Sequence, residues 1–330
     1  MNCNIGPMKI FAANANTQLA EAVVSCLKEK PEYTGLKKGE ATVTRFADGE
    51  IKMVVEETVR GNDVFIIQST SPPVNDSLME LLIMIDAMRR SSAGRITAVV
   101  PYYGYARQDR RSRSHDPISA KLVADLLTTA GAERILSMDL HCPQIQGFFN
   151  IPLDHLQGIF TFARYCKKEY SDKSNIVVVS PDFGSVTRCN AFASMLGKDI
   201  PLAIADKRRN NDGDSNIQNF IGDVRGKDAI IIDDVLSTGG SLCNAAASVM
   251  KGGARSVRAC ITHPVLAGNA VELIANSMLD EVLVLDTIEI PKDKLHPKIK
   301  VLSIARLLAE ALDRIHCNKS LGGLSKIENI

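Results

Sequence analysis

Three things are missing from this chain of 330 residues: an excess of one charge, cysteines at ligand spacing, and an apolar run of membrane length. With 39 basic against 38 acidic residues, no global field draws it to nucleic acid or to an anionic membrane, so local clusters must carry any anion binding. The eight cysteines include no CxxC and read as reduced, mostly buried small hydrophobes. No basic-then-apolar leader opens the sequence and no stretch approaches the ~20 apolar residues of a membrane span, which predicts a soluble, cytoplasmic protein. Common catalytic signatures are missing too. There is no G-x-x-x-x-G-K-[ST] phosphate loop, no G-x-G-x-x-G dinucleotide turn, and no H-E-x-x-H or Ser/His/Asp pattern for hydrolysis. Asp182-Phe183-Gly184 spells the DFG of protein kinases, but no HRD, Gly-rich loop or APE accompanies it.

What is present is alternation. Short apolar runs at 9–12, 64–68, 96–101, 135–138, 176–180, 229–232, 257–261 and 282–285 alternate with stretches of helical period at 77–91, 118–130, 241–251 and 270–276. Continuous apolar strands with helices between them predict an α/β fold whose parallel sheet is covered on both faces. Ligands of such sheets sit beyond the carboxyl ends of the strands. A last helix over 303–315, apolar at 304, 307, 308, 311 and 312, must pack on something, and the tail after Cys317 reads as loosely held. The chain also echoes itself. Gly131 leads to His141 and Pro143, and Gly253 leads to His263 and Pro264, each His ten residues after its Gly and the two offset by 122. Two similar halves follow, with a boundary near 150–158, where Pro152 and Gly158 flank a stretch without clear period.

Residues 228–241 carry the strongest chemical signal. A strand ends in Asp233 and Asp234, and Ser237-Thr238-Gly239-Gly240-Ser241 then opens a helix. Two acids there suit vicinal ribose hydroxyls, and backbone N–H groups at a helix start suit a phosphate. Ser and Thr also cap ordinary helices, though capping does not explain the adjacent acids. Residues 206–214, with Lys207, Arg208 and Arg209 in a run lacking period, predict a mobile loop: either a solvated surface or a transient grip on a polyphosphate. In 102–113, four arginines stand beside three tyrosines, suiting a nucleotide, an RNA or a subunit contact. Phe46-Ala47-Asp48-Gly49-Glu50 is foremost a turn between strands, although it could sandwich a base. His141, read as closing a strand over 135–140, is either a core histidine or a metal position, and Asp182 closes the strand 176–180.

Together these segments resemble the ribose-phosphate pyrophosphokinases, or PRPP synthetases, of the phosphate-activated bacterial type. The resemblance runs from about residue 8 to about 315 through FADGE (46–50), NDSLMELLIMIDA (75–87), PYYGYARQD (101–109), DLHxPQIQGFF (139–149), SPDFG (180–184), DKRR (206–209) and DDVLSTGGS (233–241). It implies an α/β chain of two similar phosphoribosyltransferase-like domains, each a mostly parallel sheet flanked by helices. An N-terminal domain over 1–158 would carry the ATP segments. A C-terminal domain over 159–302 would carry the ribose 5-phosphate site and the catalytic loop, with 303–330 packing back on the first. The activity implied is transfer of the pyrophosphoryl group of ATP to the C1 hydroxyl of ribose 5-phosphate with Mg2+, in a homohexamer that needs neither nucleic acid nor membrane.

By the same resemblance, Phe46, Asp48, Gly49 and Glu50 would bind ATP while reaching into a neighbouring subunit, with Arg107, Gln108 and Asp109 beside it. His141 and Asp182 would be metal positions, and Lys207 and Arg209 the mobile catalytic cations. Asp233 and Asp234 would face the ribose, Arg209 would assist there, and Ser237, Thr238, Gly239, Gly240 and Ser241 would hold the 5-phosphate. Arg60, Ser114 and Ser320 match an inter-subunit regulatory site. Two departures stand out: Ser237 replaces an acid that many members carry, and His115 stands where arginine is common. A phosphoribosyltransferase would share the acids and phosphate turn but not need the ATP segments. A non-catalytic regulatory relative would be expected to lose the loop cations or metal positions, all of which are retained.

Overall fold

The computed structural model describes residues 5–170, 175–209 and 215–324. The described residues form two compact units, the first drawn from 1–157, 287–289 and 303–330, the second from 158–286 and 290–302. In chain order the first holds β1 (Gly6–Ala12), α1 (Thr17–Leu27), β2 (Ala41–Arg45), β3 (Ile51–Val55) and β4 (Asn62–Ile67). There follow α2 (Val74–Arg90), β5 (Arg95–Val100), α3 (Ser119–Ala130), β6 (Arg134–Met138) and β7 (Leu153–Leu156). The second unit holds α4 (Ile159–Glu169), β8 (Ile176–Ser180), α5 (Val186–Leu196), β9 (Leu202–Arg209), β10 (Ser215–Ile221) and β11 (Asp228–Leu236). It continues through α6 (Gly240–Lys251), β12 (Ser256–Pro264), α7 (Ala270–Ala275), β13 (Glu281–Leu285) and β14 (Ile299–Leu302), before α8 (Ala305–His316) rejoins the first.

The first unit is built on a parallel sheet in the order β1-β4-β5-β6-β7. Its strands are apolar on both faces because helices cover both: Val64, Phe65, Ile66 and Ile67 of β4 are wholly buried. The β2–β3 hairpin forms its own small antiparallel sheet, and its alternating half-buried and exposed residues are those of a ribbon with one covered face. Residues 303–315 hold a helix as expected, and α8 buries Leu307, Leu308, Ala311 and Leu312. Lys30, just past α1, pairs with Glu310 at 2.8 Å and Asp313 at 2.7 Å, while Arg306 pairs with Glu29. At the end of α8, buried Asp63 accepts from Arg95 at 2.8 and 2.5 Å and contacts His316 Nδ1 at 2.7 Å. These donors hold its carboxyl below the usual range against the opposing effect of burial. The tail is better held than expected through residue 324: Arg314 donates to the Ser320 carbonyl and Leu324 is buried.

The second unit has the sheet order β10-β9-β8-β11-β12-β13-β14, parallel except for β10, which turns back on β9. The order reverses at β8, whose two neighbours are the strands that follow it on either side. Such a switch point is where an open α/β sheet accepts ligands. The two sheets share a run of four parallel strands in chain order, β4-β5-β6-β7 and β8-β11-β12-β13, which places the repeated Gly-to-His segments on β6 and β12. The fifth strand differs in origin: β1 precedes its run, whereas β9 falls within the other.

Candidate active site

In the second unit, β8 and β11 pair only as far as Val179 and Ile231. Beyond that point β11 continues to Leu236 by pairing with β12 alone, Asp233 opposite Ile261 and Leu236 opposite Pro264. The acids therefore lie within the strand, not at its end as the sequence suggested, along an edge left open at the switch point. Asp234 is 6% exposed and meets Arg188 of α5 at 3.4 Å, a partner the sequence reading missed because nothing local marks it. Asp233 Oδ1 accepts the Asp234 N–H at 2.9 Å. Burial first, then the neighbouring charges of Asp234 and Asp182, push the Asp233 carboxyl up to about 7. Beneath them the Cys189 thiol faces the carbonyls of Val179 and Ile232, and burial pushes it up to about 12, so it is an inert packing group. Asp182 follows β8, and its Oδ1 accepts the Ser185 N–H at 3.0 Å, fixing the turn where the sequence carries serine.

The turn over 237–241 is the most telling feature. The cap of α6 is Gly239, left-handed at φ +82°, and no side chain caps the helix. The hydroxyls of this Ser/Thr-rich turn are thus not spent on capping, and the first-turn amides have no intrahelical acceptors. Thr238 and Ser241 are exposed, Ser237 and Gly240 half-buried, and a Cβ on Gly240 would meet nothing within 4 Å. The turn is fastened from behind, where Leu266 and Ala267 donate to the carbonyls of Leu236 and Ser237, each at 3.0 Å. Amides without intrahelical acceptors beside two carboxylates suit an anion attached to a diol.

Residues 206–209, expected as loop, instead extend β9: Lys207 is opposite Ile217, Arg208 opposite Asn216 and Arg209 opposite Ser215. A local pattern could not show this, because the strand exists through its partner β10. The side chains of Lys207, Arg208 and Arg209, and all of 210–214, lie outside the described residues.

In the first unit, Phe46, Asp48, Gly49 and Glu50 form the tip of the β2–β3 hairpin, the turn that the sequence favoured. Phe46 is 51% exposed, Gly49 adopts φ +93°, and Asp48 Oδ1 accepts the Glu50 N–H at 3.1 Å. Arg45 anchors the hairpin to α2 through Asp76 at 2.9 Å. Arg107 and Gln108 are exposed and Asp109 half-buried on the segment after β5. Two of the three tyrosines before them are not a stacking surface. Tyr102 and Tyr103 are buried, and Tyr103 donates to the Ala120 carbonyl at 2.9 Å while its ring meets Phe149 edge-on at 5.8 Å. Thr70 Oγ1 accepts the Gly104 N–H at 2.6 Å, so buried residues after β4, which no motif singles out, hold the arginine-bearing segment. His141 is exposed, not a core histidine, and β6 ends at Met138, three residues before it. Of the regulatory matches, Arg60 bridges Ala93 at the amino ends of β4 and β5, whereas Ser114 lies beyond the carboxyl end of β5. Ser320 follows α8, whose end is tied to Asp63 and Arg95, so one chain does not gather all three.

Residues 8–131 match the N-terminal domain of ribose phosphate pyrophosphokinase, and 211–326 match the phosphoribosyl synthetase-associated domain. The ribose-phosphate pyrophosphokinase of Clostridium tetani is 53% identical over 310 residues, covering 94% of each chain. That of Agrobacterium fabrum is 54% identical over 319 residues, covering 96% of this chain and 99% of its own. The chain belongs to the ribose-phosphate pyrophosphokinase family. A crystal structure of phosphoribosylpyrophosphate synthetase from Mycobacterium smegmatis superposes with a TM-score of 0.87 at 43% identity, over 94% of this chain and 99% of that one. Two α/β domains of the phosphoribosyltransferase type are therefore the family's architecture and this chain's. Ribose-phosphate pyrophosphokinases use a metal ion. Among the described residues no three His, Cys, Asp or Glu side chains converge on a point, and no helix is long and apolar enough to cross a membrane.

Proposed function

We propose that this chain transfers the pyrophosphoryl group of ATP to the C1 hydroxyl of ribose 5-phosphate, releasing 5-phosphoribosyl 1-diphosphate and AMP. The observation that carries the reading is the Gly239-capped start of α6, without a side-chain cap, beside Asp233 and Asp234 at the sheet's switch point. Amides and hydroxyls of 237–241 hold the 5-phosphate, and the two acids accept from the ribose hydroxyls. Fixing the sugar at both ends presents its C1 oxygen, so the gain comes from orientation. Phe46, Asp48, Gly49 and Glu50 hold the adenine end of ATP, and Arg107, Gln108 and Asp109 its polar parts.

Carboxylate oxygens without a complete cage fit magnesium, which keeps its waters and binds substrate phosphates. His141 and Asp182 would hold it, and when bound it neutralises charge on the polyphosphate. Lys207 and Arg209 meet the charge that spreads over the migrating group. The protein works in the cytoplasm as a homohexamer, and neither nucleic acid nor a membrane takes part.

Incubation of the purified protein with ATP, magnesium and ribose 5-phosphate tests the proposal. AMP should accumulate in step with 5-phosphoribosyl 1-diphosphate. ADP as the nucleotide product, or no turnover at all, would refute it, the latter favouring a regulatory relative. A second expectation concerns the departure at 237. Ser237→Asp restores a carboxylate beside the 5-phosphate, so the KM for ribose 5-phosphate should shift about threefold or more while that for ATP stays put. Equal shifts in both constants would remove residue 237 from the sugar-phosphate site.

A further inference from the structure

The turn that presents His141 has an unusual suspension. After β6, Asp139 takes φ +37°, a left-handed conformation unfavourable for a residue with a side chain, and is itself buried. Its N–H makes the last backbone bond to β7, to the Leu156 carbonyl at 3.0 Å. The next amide, that of Leu140, is buried and finds no strand carbonyl. It donates instead to the Nε2 of His155 at 2.9 Å. An N–H only donates, so Nε2 is the unprotonated nitrogen and the imidazole acts as an acceptor standing in for the ladder. The chain then turns outward and exposes His141.

The second unit shows what happens without such a device. There β12 runs straight through the matching segment, His263 pairs with Val235, and its side chain is 2% exposed. The same Gly-to-His spacing thus gives a buried strand histidine in one unit and a presented one in the other. What differs is the left-handed residue and the imidazole that accepts the amide after it.

We infer that His155 is a positioning residue that holds the 139–141 turn, through the Leu140 amide, in the conformation that presents His141 to the metal–nucleotide. This rests on the reading of His141 given above. It predicts that the acceptor matters more than the ring. His155→Phe keeps a planar side chain without an acceptor, and His155→Gln restores an acceptor oxygen at similar reach.

Calorimetric binding of magnesium–ATP should weaken about tenfold in His155→Phe and recover to within about threefold of wild type in His155→Gln. The magnesium concentration for half-maximal turnover should rise in the first, with kcat at saturating metal changed less. Wild-type affinity in His155→Phe, or a His155→Gln that folds but binds no better than it, would overturn the inference. His141→Ala runs alongside. If it binds magnesium–ATP as wild type does, the reading of His141 fails and the inference with it. If it is weakened while His155→Phe is not, only the inference fails. Hydrogen exchange on the wild-type protein gives a measure independent of any variant: the Leu140 amide should be protected, and exchange at the rate of an open loop would refute its bond to His155.

Discussion

Lys207→Ala should lower kcat by a factor of about a hundred or more while leaving the KM for ATP within about threefold. The backbone sets this residue at the end of the sheet where the proposed sugar site lies. The last pairing of β9 with β8 joins Ile204 to Ser180, and Lys207 is three residues further along the same strand. At about 3.3 Å per residue it lies about 10 Å past the carboxyl end of β8, on the side where Asp182 follows. A cation there gains most when charge spreads over the transferring phosphoryl oxygens, because substrate and transition state differ in charge distribution and not in bulk. Arg209→Ala should behave alike. Steady-state kinetics with both substrates varied decides it. A fall in kcat of less than tenfold would mean that the β9 cations do not meet the migrating group.

Asp233→Asn should do two opposite things: cut turnover with ribose 5-phosphate by about a hundredfold and make the protein more stable at pH 8. The carboxyl stands at about 7 because burial and the nearby Asp234 and Asp182 disfavour its charge. An acid whose folded-state pKa lies above its unfolded value near 4 retains its proton longer in the native state. This group's contribution to stability is therefore most favourable below pH 4, declines as pH rises from about 4 to about 7, and keeps the full penalty above that. Asparagine carries no charge at any pH, so the decline across that window should flatten. With part of the penalty relaxed by water at this half-buried site, about 1–3 kcal/mol and a few degrees in melting midpoint are expected at pH 8. Thermal melts of both proteins at pH 5 and pH 8 measure it. A variant that melts lower than wild type at pH 8 would show that Asp233 is not held at that cost. On the proposed reading, the stability given up here is the cost of a carboxylate kept ready for the ribose hydroxyls.

How much of this was legible in the sequence depended on how each element is buried. All eight apolar runs became strands, since β4, β5, β8, β11 and their neighbours are covered on both faces and read as short, mostly apolar runs. The hairpin strands β2 and β3, covered on one face, and the four-residue β7 and β14 left no such run. Asp206 to Arg209 looked like loop because every residue is charged, and only β10 makes them strand. At the site, the sequence named the acids and the phosphate turn but not which residue turns left-handed. Gly239 rather than a serine or threonine is the cap, and that frees the hydroxyls. Tyr102 and Tyr103 were misplaced for a related reason: composition puts an aromatic near a site but does not say which way it faces. Arg188, Thr70 and His155 act from other elements of the fold, and no spacing in the chain announces them.

The return of α8 has a consequence for how the chain is made. Lys30 and Tyr33 find Asp313 only after the whole second unit has been translated. The second unit, drawn from 158–286 and 290–302, has all its strands before α8 leaves the ribosome, so the part synthesised later is the first able to finish. A nascent chain stalled before Ala305 would hold one completed unit and one whose α1 flank still faces solvent, the state a chaperone would be expected to bind.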